Sequence, residues 1–218
     1  MNHVMREPQM VSKLHAFLAQ QLGHPSGIWG RLLLRLLNRE NAGMNRLAFE
    51  QLAIRQGDRI LEIGFGGGSL LARILATGLP KTVVGLDYAE DALTVTQRKL
   101  WRYVHSGQLT LQQGNASHLP FPDQQFDHIC TVNTLYFWPD AQTVFQECYR
   151  VLTPSGTVVV CYNTKDFLEQ QGLTQQGFKG YEVKTVEKFL DEIGFQSIET
   201  FSRQDSSNGQ YHCTCGKR

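Results

Sequence analysis

Residues 61–70 read LEIGFGGGSL. Glycines stand at 64, 66, 67 and 68, and a carboxylate, Glu62, lies two residues before the first of them. The apolar run RILEIG (59–64) has the look of a strand, and a helical pattern (68–78) follows. A glycine-rich turn at such a junction brings backbone N–H groups close to a ligand. The dinucleotide fingerprint G-x-G-x-x-G fails, because position 69 is Ser; the spacing is G-x-G-x-G on 64, 66 and 68. Glu62 would also repel a diphosphate. A zwitterionic amino-acid group suits the loop better, its carboxylate meeting N–H groups and its ammonium finding carbonyls and a nearby acid.

Outward from the loop, the chain alternates. Strand-like runs are TVVGLD (82–87), QLTLQQG (108–114), FDHICTV (126–132) and GTVVVCY (156–162). Helix-like runs fall between most of them, at 90–104, 140–151 and 184–193. In the last, Val186, Phe189, Leu190 and Ile193 share one face, and Gly194 is a helix stop. Alternating strands and helices predict an α/β fold with a mostly parallel sheet and right-handed crossovers. The end differs. FQSIETFS (195–202) and GQYHCTCGK (209–217), joined by the turn-rich stretch 203–208, predict a closing antiparallel hairpin.

Open parallel sheets bind ligands beyond the carboxyl ends of their strands. Asp87 ends the second strand there, 23 residues past Gly64. A carboxylate at that place accepts both hydroxyls of a ribose. A ligand with a ribose and an amino-acid tail is S-adenosylmethionine.

Four stretches in order carry a resemblance: ILEIGFGGGSL (60–70), VVGLDYAEDAL (83–93), QQGNASHLPFPDQQFD (112–127) and YRVLTPSGTVVV (149–160). Together they resemble the class I S-adenosylmethionine-dependent methyltransferases, in the small-molecule branch that includes the ubiquinone/menaquinone-biosynthesis-type enzymes. The resemblance covers about residue 46 to the end. It implies a Rossmann-like sheet of seven strands with the last antiparallel. It also implies that Gly64, Gly66 and Gly68 approach the methionine part, with Glu62 behind them. Asp87 would take the ribose and Tyr88 flank the adenine. Asn115 and Ala116 stand where the family has an acid and a small residue; the Asn115 amide still offers a carbonyl to the adenine amino group. Asn133 would face the methionine tail or the departing methyl. The cofactor is then S-adenosylmethionine and the product S-adenosylhomocysteine.

Residues 1–45 read as an N-terminal helical cap over the 46–218 core. Met10, Leu14, Phe17, Leu18 and Leu22 recur at helical spacing, and a second helix is expected over 28–40. Arg31, Arg35 and Arg39 line one stripe of the second helix, which makes membrane or partner contact the alternative to a cap. Between the two lies His24, a candidate general base; Tyr136 is the other catalytic candidate. Tyr136, Phe137 and Trp138 follow strand 4 and are expected to wall a pocket for a flat or apolar acceptor, or to pack against the cap. The segment 167–181, with glycines at 172, 177 and 180, would close the other side.

Other classes fit poorly. The formal net charge of the 218-residue chain is +1, and the place after strand 4 reads NTLY rather than the proline-containing loop of base-amine methylation. Nucleic-acid substrates are therefore not expected. Asn133, Asn163 and Asp166 offer one acid among them, so no metal site is expected. The five cysteines are irregularly spaced and do not form a disulfide framework. Without a secretory signal or a long apolar span, a cytoplasmic setting is expected. The leading reading is an enzyme that transfers a methyl group to a small molecule. A non-catalytic S-adenosylmethionine-binding or partner-binding protein is the alternative, and a nicotinamide dehydrogenase the third.

Overall fold

The structure is a computed structural model that describes residues 41–205 and 209–218. The two expected N-terminal helices, with His24 between them, lie outside the described residues. Seven strands form one sheet: β1 (Arg59–Ile63), β2 (Thr82–Asp87), β3 (Leu109–Gln113), β4 (Phe126–Val132), β5 (Leu152–Asn163), β6 (Gln196–Asp205) and β7 (Gly209–Lys217), in the order β3-β2-β1-β4-β5-β7-β6. β7 runs antiparallel to both of its neighbours, and the β1, β2, β3, β4 and β5 pairs are parallel. This is the mostly parallel sheet that the alternating pattern predicts and the seven-stranded Rossmann-like sheet that the resemblance implies, closed by the terminal hairpin.

Helices cover both faces. α1 (Ala42–Leu52), α2 (Ser69–Leu75), α3 (Glu90–Lys99) and α4 (Trp101–His105) precede β3. α5 (Ala141–Val151) precedes β5, α6 (Lys165–Gln170) follows it, and α7 (Val183–Ile193) precedes β6. Alternation along each strand divides the core. Leu61 and Ile63 of β1 join the cluster with Val144, Phe145 and Leu190, whereas Ile60 joins Met44, Leu47 and Leu70 on the other face. Glu62 has the parity of Ile60, so its carboxylate is carried to the face covered by α2.

Several elements differ from the expected pattern, among them α6, a helix not expected, and β6, which runs on to Asp205 into the expected turn. α1, not foreseen, packs against β4, β5 and β7 and runs through residues 45 and 46 as one helix. β5 begins at Leu152 rather than 156 because Leu152 already pairs with Phe126, across an irregularity where Ser155 adopts φ 67°. The 90–104 run breaks at Leu100, with φ −110°, into α3 and α4.

The cysteines Cys130, Cys161, Cys213 and Cys215 sit in strands and Cys148 in α5, all free thiols. His128 sits inside β4 with Nε2 3.0 Å from Asp58 Oδ2, near the start of β1 and away from the strands' carboxyl ends.

Candidate active site

The chain leaves edge strand β3 and returns as β4 on the far side of β1, so the sheet order reverses beside β1. The glycine loop, Asp87 and Asn133 all lie at that end, one after each of β1, β2 and β4. The loop depends on glycine conformations. Gly64 has φ 72°, Gly66 φ 50° and Gly68 φ 67°, a region that costs L side chains strain. A Cβ on Gly64 would also run into Thr134 Cγ2, and one on Gly68 would lie 2.5 Å from Thr96 Cγ2.

Two neighbouring elements pin the loop. Asp87 Oδ2 accepts from Gly66 N–H at 2.8 Å and its Oδ1 from Ala89 N–H at 2.9 Å. Thr96 Oγ1 donates to Gly66 O at 2.9 Å, and Lys99 Nζ to Gly67 O at 2.9 Å, both from α3. A Tyr88 backbone N–H also bonds this carboxylate, which leaves its remaining lone-pair room for a ligand hydroxyl. Sequence reasoning missed Thr96 and Lys99, because their partners lie about 30 residues away and their helix shows only a solvated pattern.

Glu62 is 3% exposed, and its Oε2 has no hydrogen-bond partner. Burial, and secondarily the nearby Asp87 charge, hold its carboxyl well above the ordinary range, while a Leu71 backbone hydrogen bond and Lys99 pull the other way. Burial also raises Asp87, against backbone N–H bonds from Ala89 and Gly66. The loop's Gly64, Gly66 and Gly68 N–H groups are bonded to Leu86 O, Asp87 Oδ2 and Phe65 O, and two buried carboxyl groups of raised affinity for protons beside it fit a ligand that brings its own positive charge.

The remaining expected residues are placed as follows. Tyr88 is 59% exposed at the end of β2, its carbonyl accepting from Gln113 Nε2 at 3.0 Å. Asn115 is exposed after β3, and its Oδ1 accepts from Ser117 N–H at 2.9 Å, a local turn that uses one carbonyl lone pair. Ala116 packs at the edge of the α5-side core. Asn133 adopts φ 58°; its Oδ1 accepts from the Tyr136 hydroxyl at 2.8 Å and its Nδ2 donates to Asn41 Oδ1 at 2.7 Å.

The three aromatics after β4 separate. Phe137 is exposed and meets Phe178 edge-on at 4.7 Å. Trp138 is buried edge-on against Phe145 at 5.4 Å, in the core rather than at an open wall. Tyr136 is buried, its ring near-parallel to Phe178 at 6.1 Å. Burial pushes its phenol well above the ordinary range, so the group keeps its proton. Among the described residues no cluster of three or more His, Cys, Asp or Glu is arranged to hold a metal ion. No described helix is long and apolar enough to cross a membrane.

Comparison with known proteins agrees with this geometry. Residues 61–160 match the model of the methyltransferase domain family. The chain is 35% identical to the demethylmenaquinone methyltransferase of Lactobacillus johnsonii over 117 residues, 53% of this chain and 48% of that protein. It is 36% identical to the fatty-acid O-methyltransferase of Mycolicibacterium smegmatis over 101 residues, 46% of this chain and 35% of that protein. It thus spans about half the length of the first of these curated relatives and about a third of the second. Among solved structures, a chain from the complex of the Haloferax volcanii Trm112 methyltransferase activator with a methyltransferase superposes with a TM-score of 0.74 at 17% identity, covering 84% of this chain and 92% of that one. The fold is the Rossmann-like one shared with such methyltransferase structures, and the match to the methyltransferase domain family covers a little under half of the chain.

Proposed function

We propose that this chain binds S-adenosylmethionine at the glycine loop and transfers its methyl group to a small, flat or apolar acceptor. The observation that carries the reading is the loop itself. Three glycines adopt left-handed conformations, the middle one, Gly66, held by Asp87, beside a buried, unpartnered Glu62 oxygen. When bound, the cofactor supplies a sulfonium-activated methyl, and no proton need leave an acceptor that is already ionised.

The chain's part is binding, orientation and exclusion of water. Gly64, Gly66 and Gly68 let the backbone approach the methionine part. Glu62, with Asp87 nearby, favours its positive charge. The lone pairs left on Asp87 take the ribose hydroxyls, Tyr88 flanks the adenine, and Asn115 meets its edge. Asn133 stands beside the methionine side of the loop, and the exposed face of Phe137 offers the acceptor an aromatic surface. The cap over the acceptor side belongs to the same proposal, drawn back to the residues before α1, because α1 itself packs on the sheet. Its support is that Asn41, where the described chain begins, is hydrogen-bonded to Asn133 at the ligand end of the sheet.

Substrates resembling those in the names of the relatives, a quinol or a fatty acid, are the first acceptors to try. Titration calorimetry should show S-adenosylmethionine and S-adenosylhomocysteine binding and no NAD binding. A screen over quinols, phenols, fatty acids, amines and thiols, read by S-adenosylhomocysteine formation, then finds the acceptor. Binding of NAD, or of neither sulfur nucleoside, would overturn the reading.

A further inference from the structure

The Tyr136 hydroxyl determines which end of the Asn133 carboxamide points where. The backbone N–H of Asn163 donates to Tyr136 Oη, so that oxygen is already an acceptor and its own proton must go elsewhere. The nearer acceptor is Asn133 Oδ1 at 2.8 Å, with Asn163 Oδ1 at 3.5 Å. The carbonyl end of Asn133 is therefore held toward Tyr136 and its NH2 is turned away. That NH2 meets Asn41 Oδ1. Asn41 occupies the N-cap position of α1, where an Asn side chain ordinarily accepts from the first helical turn. It makes no capping bond; its carboxamide oxygen is committed to Asn133 instead.

The arrangement is braced from several sides. Asn133 N–H donates to Cys161 O at 2.9 Å, which ties the backbone at φ 58° to β5. Lys179 N–H donates to Tyr136 O at 3.3 Å, and the Phe178 ring lies against Tyr136 and Phe137. An amide donor of fixed direction therefore stands beside the glycine loop, next to an exposed aromatic ring.

We propose that the Asn133 NH2, oriented by Tyr136 as a positioning residue, is the subsite for an oxygen atom of the acceptor substrate, with Asn41 Oδ1 occupying the place such an oxygen would take. This rests on the methyltransferase reading and narrows it: a fixed N–H donor favours an acceptor presenting an oxygen lone pair, a phenol or enol, over one presenting an amine N–H.

1-Naphthol and 1-naphthylamine share a ring system and differ in this one atom, which makes them a direct probe pair. Calorimetry on the full chain, with and without S-adenosylhomocysteine, is expected to show 1-naphthol binding about three- to tenfold more tightly, the worth of one neutral hydrogen bond. Tyr136→Phe frees the Asn133 amide to turn over and should bring the ratio close to one. Asn133→Asp keeps the shape but offers only acceptors, so 1-naphthaldehyde, whose oxygen accepts but cannot donate, should bind the parent chain and lose its affinity in the variant, while 1-naphthol, able to donate its O–H to the carboxylate, still binds, a difference that loss of packing alone would not produce. A ratio near one in the parent chain, binding of neither probe, or equal effects on 1-naphthaldehyde and 1-naphthol in Asn133→Asp overturns the proposal. The nucleoside titration in the same samples reports separately on the methyltransferase reading.

Discussion

At Asp87 a single carboxylate holds the loop and, in the proposed complex, would also take the ribose. Its bonds to Gly66 and Ala89 N–H groups are charge-assisted, and a bond to a ribose hydroxyl would be charge-assisted too. Hydrogen bonds to a charged group contribute about 1.5–3 kcal/mol and neutral ones about 0.5–1.5. Asp87→Ala should therefore weaken S-adenosylmethionine binding well beyond Asn115→Ala, whose carbonyl is shared with Ser117. Calorimetry giving the reverse order would move the ribose elsewhere. Glu62 carries a pH signature. Its carboxyl is raised in the folded chain, so the fold retains a proton that the unfolded chain releases near the ordinary Glu value of about 4.3. Stability then falls as pH rises from that value toward the raised one. Glu62→Gln removes this contribution, while Asp87, also raised, contributes with the same sign in both proteins. Melting temperature should decline less steeply with pH in the variant; parallel curves would show that Glu62 titrates normally.

At the scale of elements, the β1–α2 junction is where backbone geometry and packing meet. Gly64 combines φ 72° with a Cβ position already filled by Thr134 Cγ2. A non-glycine residue in such a conformation costs on the order of 1–3 kcal/mol before any clash. Gly64→Ala should destabilise the chain by at least that amount in urea unfolding. Adding Thr134→Ser removes the clashing methyl and should recover part of the loss, the backbone share remaining. A double-mutant cycle separates the two contributions. Full recovery in the double variant would show that the left-handed backbone is not strained.

For the molecule as a whole, the chain enters the described structure at Asn41, in contact with Asn133 at the mouth of the candidate site. The proposed cap formed by residues 1–40 would cover the acceptor side, and an acceptor needs to be desolvated beside the methyl donor. Removing residues 1–40 should abolish methyl transfer to the acceptor found by the screen while leaving S-adenosylhomocysteine binding, since Glu62, the loop and Asp87 lie downstream. A truncated chain with full turnover would assign those residues to membrane or partner contact.

The sequence by itself determined the sheet, the glycine loop and the carboxylate that ends β2. Strand and helix periods, the G-x-G-x-G spacing and the distance from Gly64 to Asp87 are all written along the chain, and the terminal hairpin shows as two strand-like runs with a turn between. Even α1 had a signal available, with Met44, Leu47, Ala48 and Leu52 at helical spacing. Only the tertiary structure decided that Tyr136 and Trp138 are interior, that Lys99 and Thr96 hold the loop, and that Asn41 meets Asn133 across 92 residues. The reason is physical. Periodicity reports which side of an element faces the core, whereas a hydrogen-bond partner depends on strand register and helix packing, which juxtapose residues that no local pattern links.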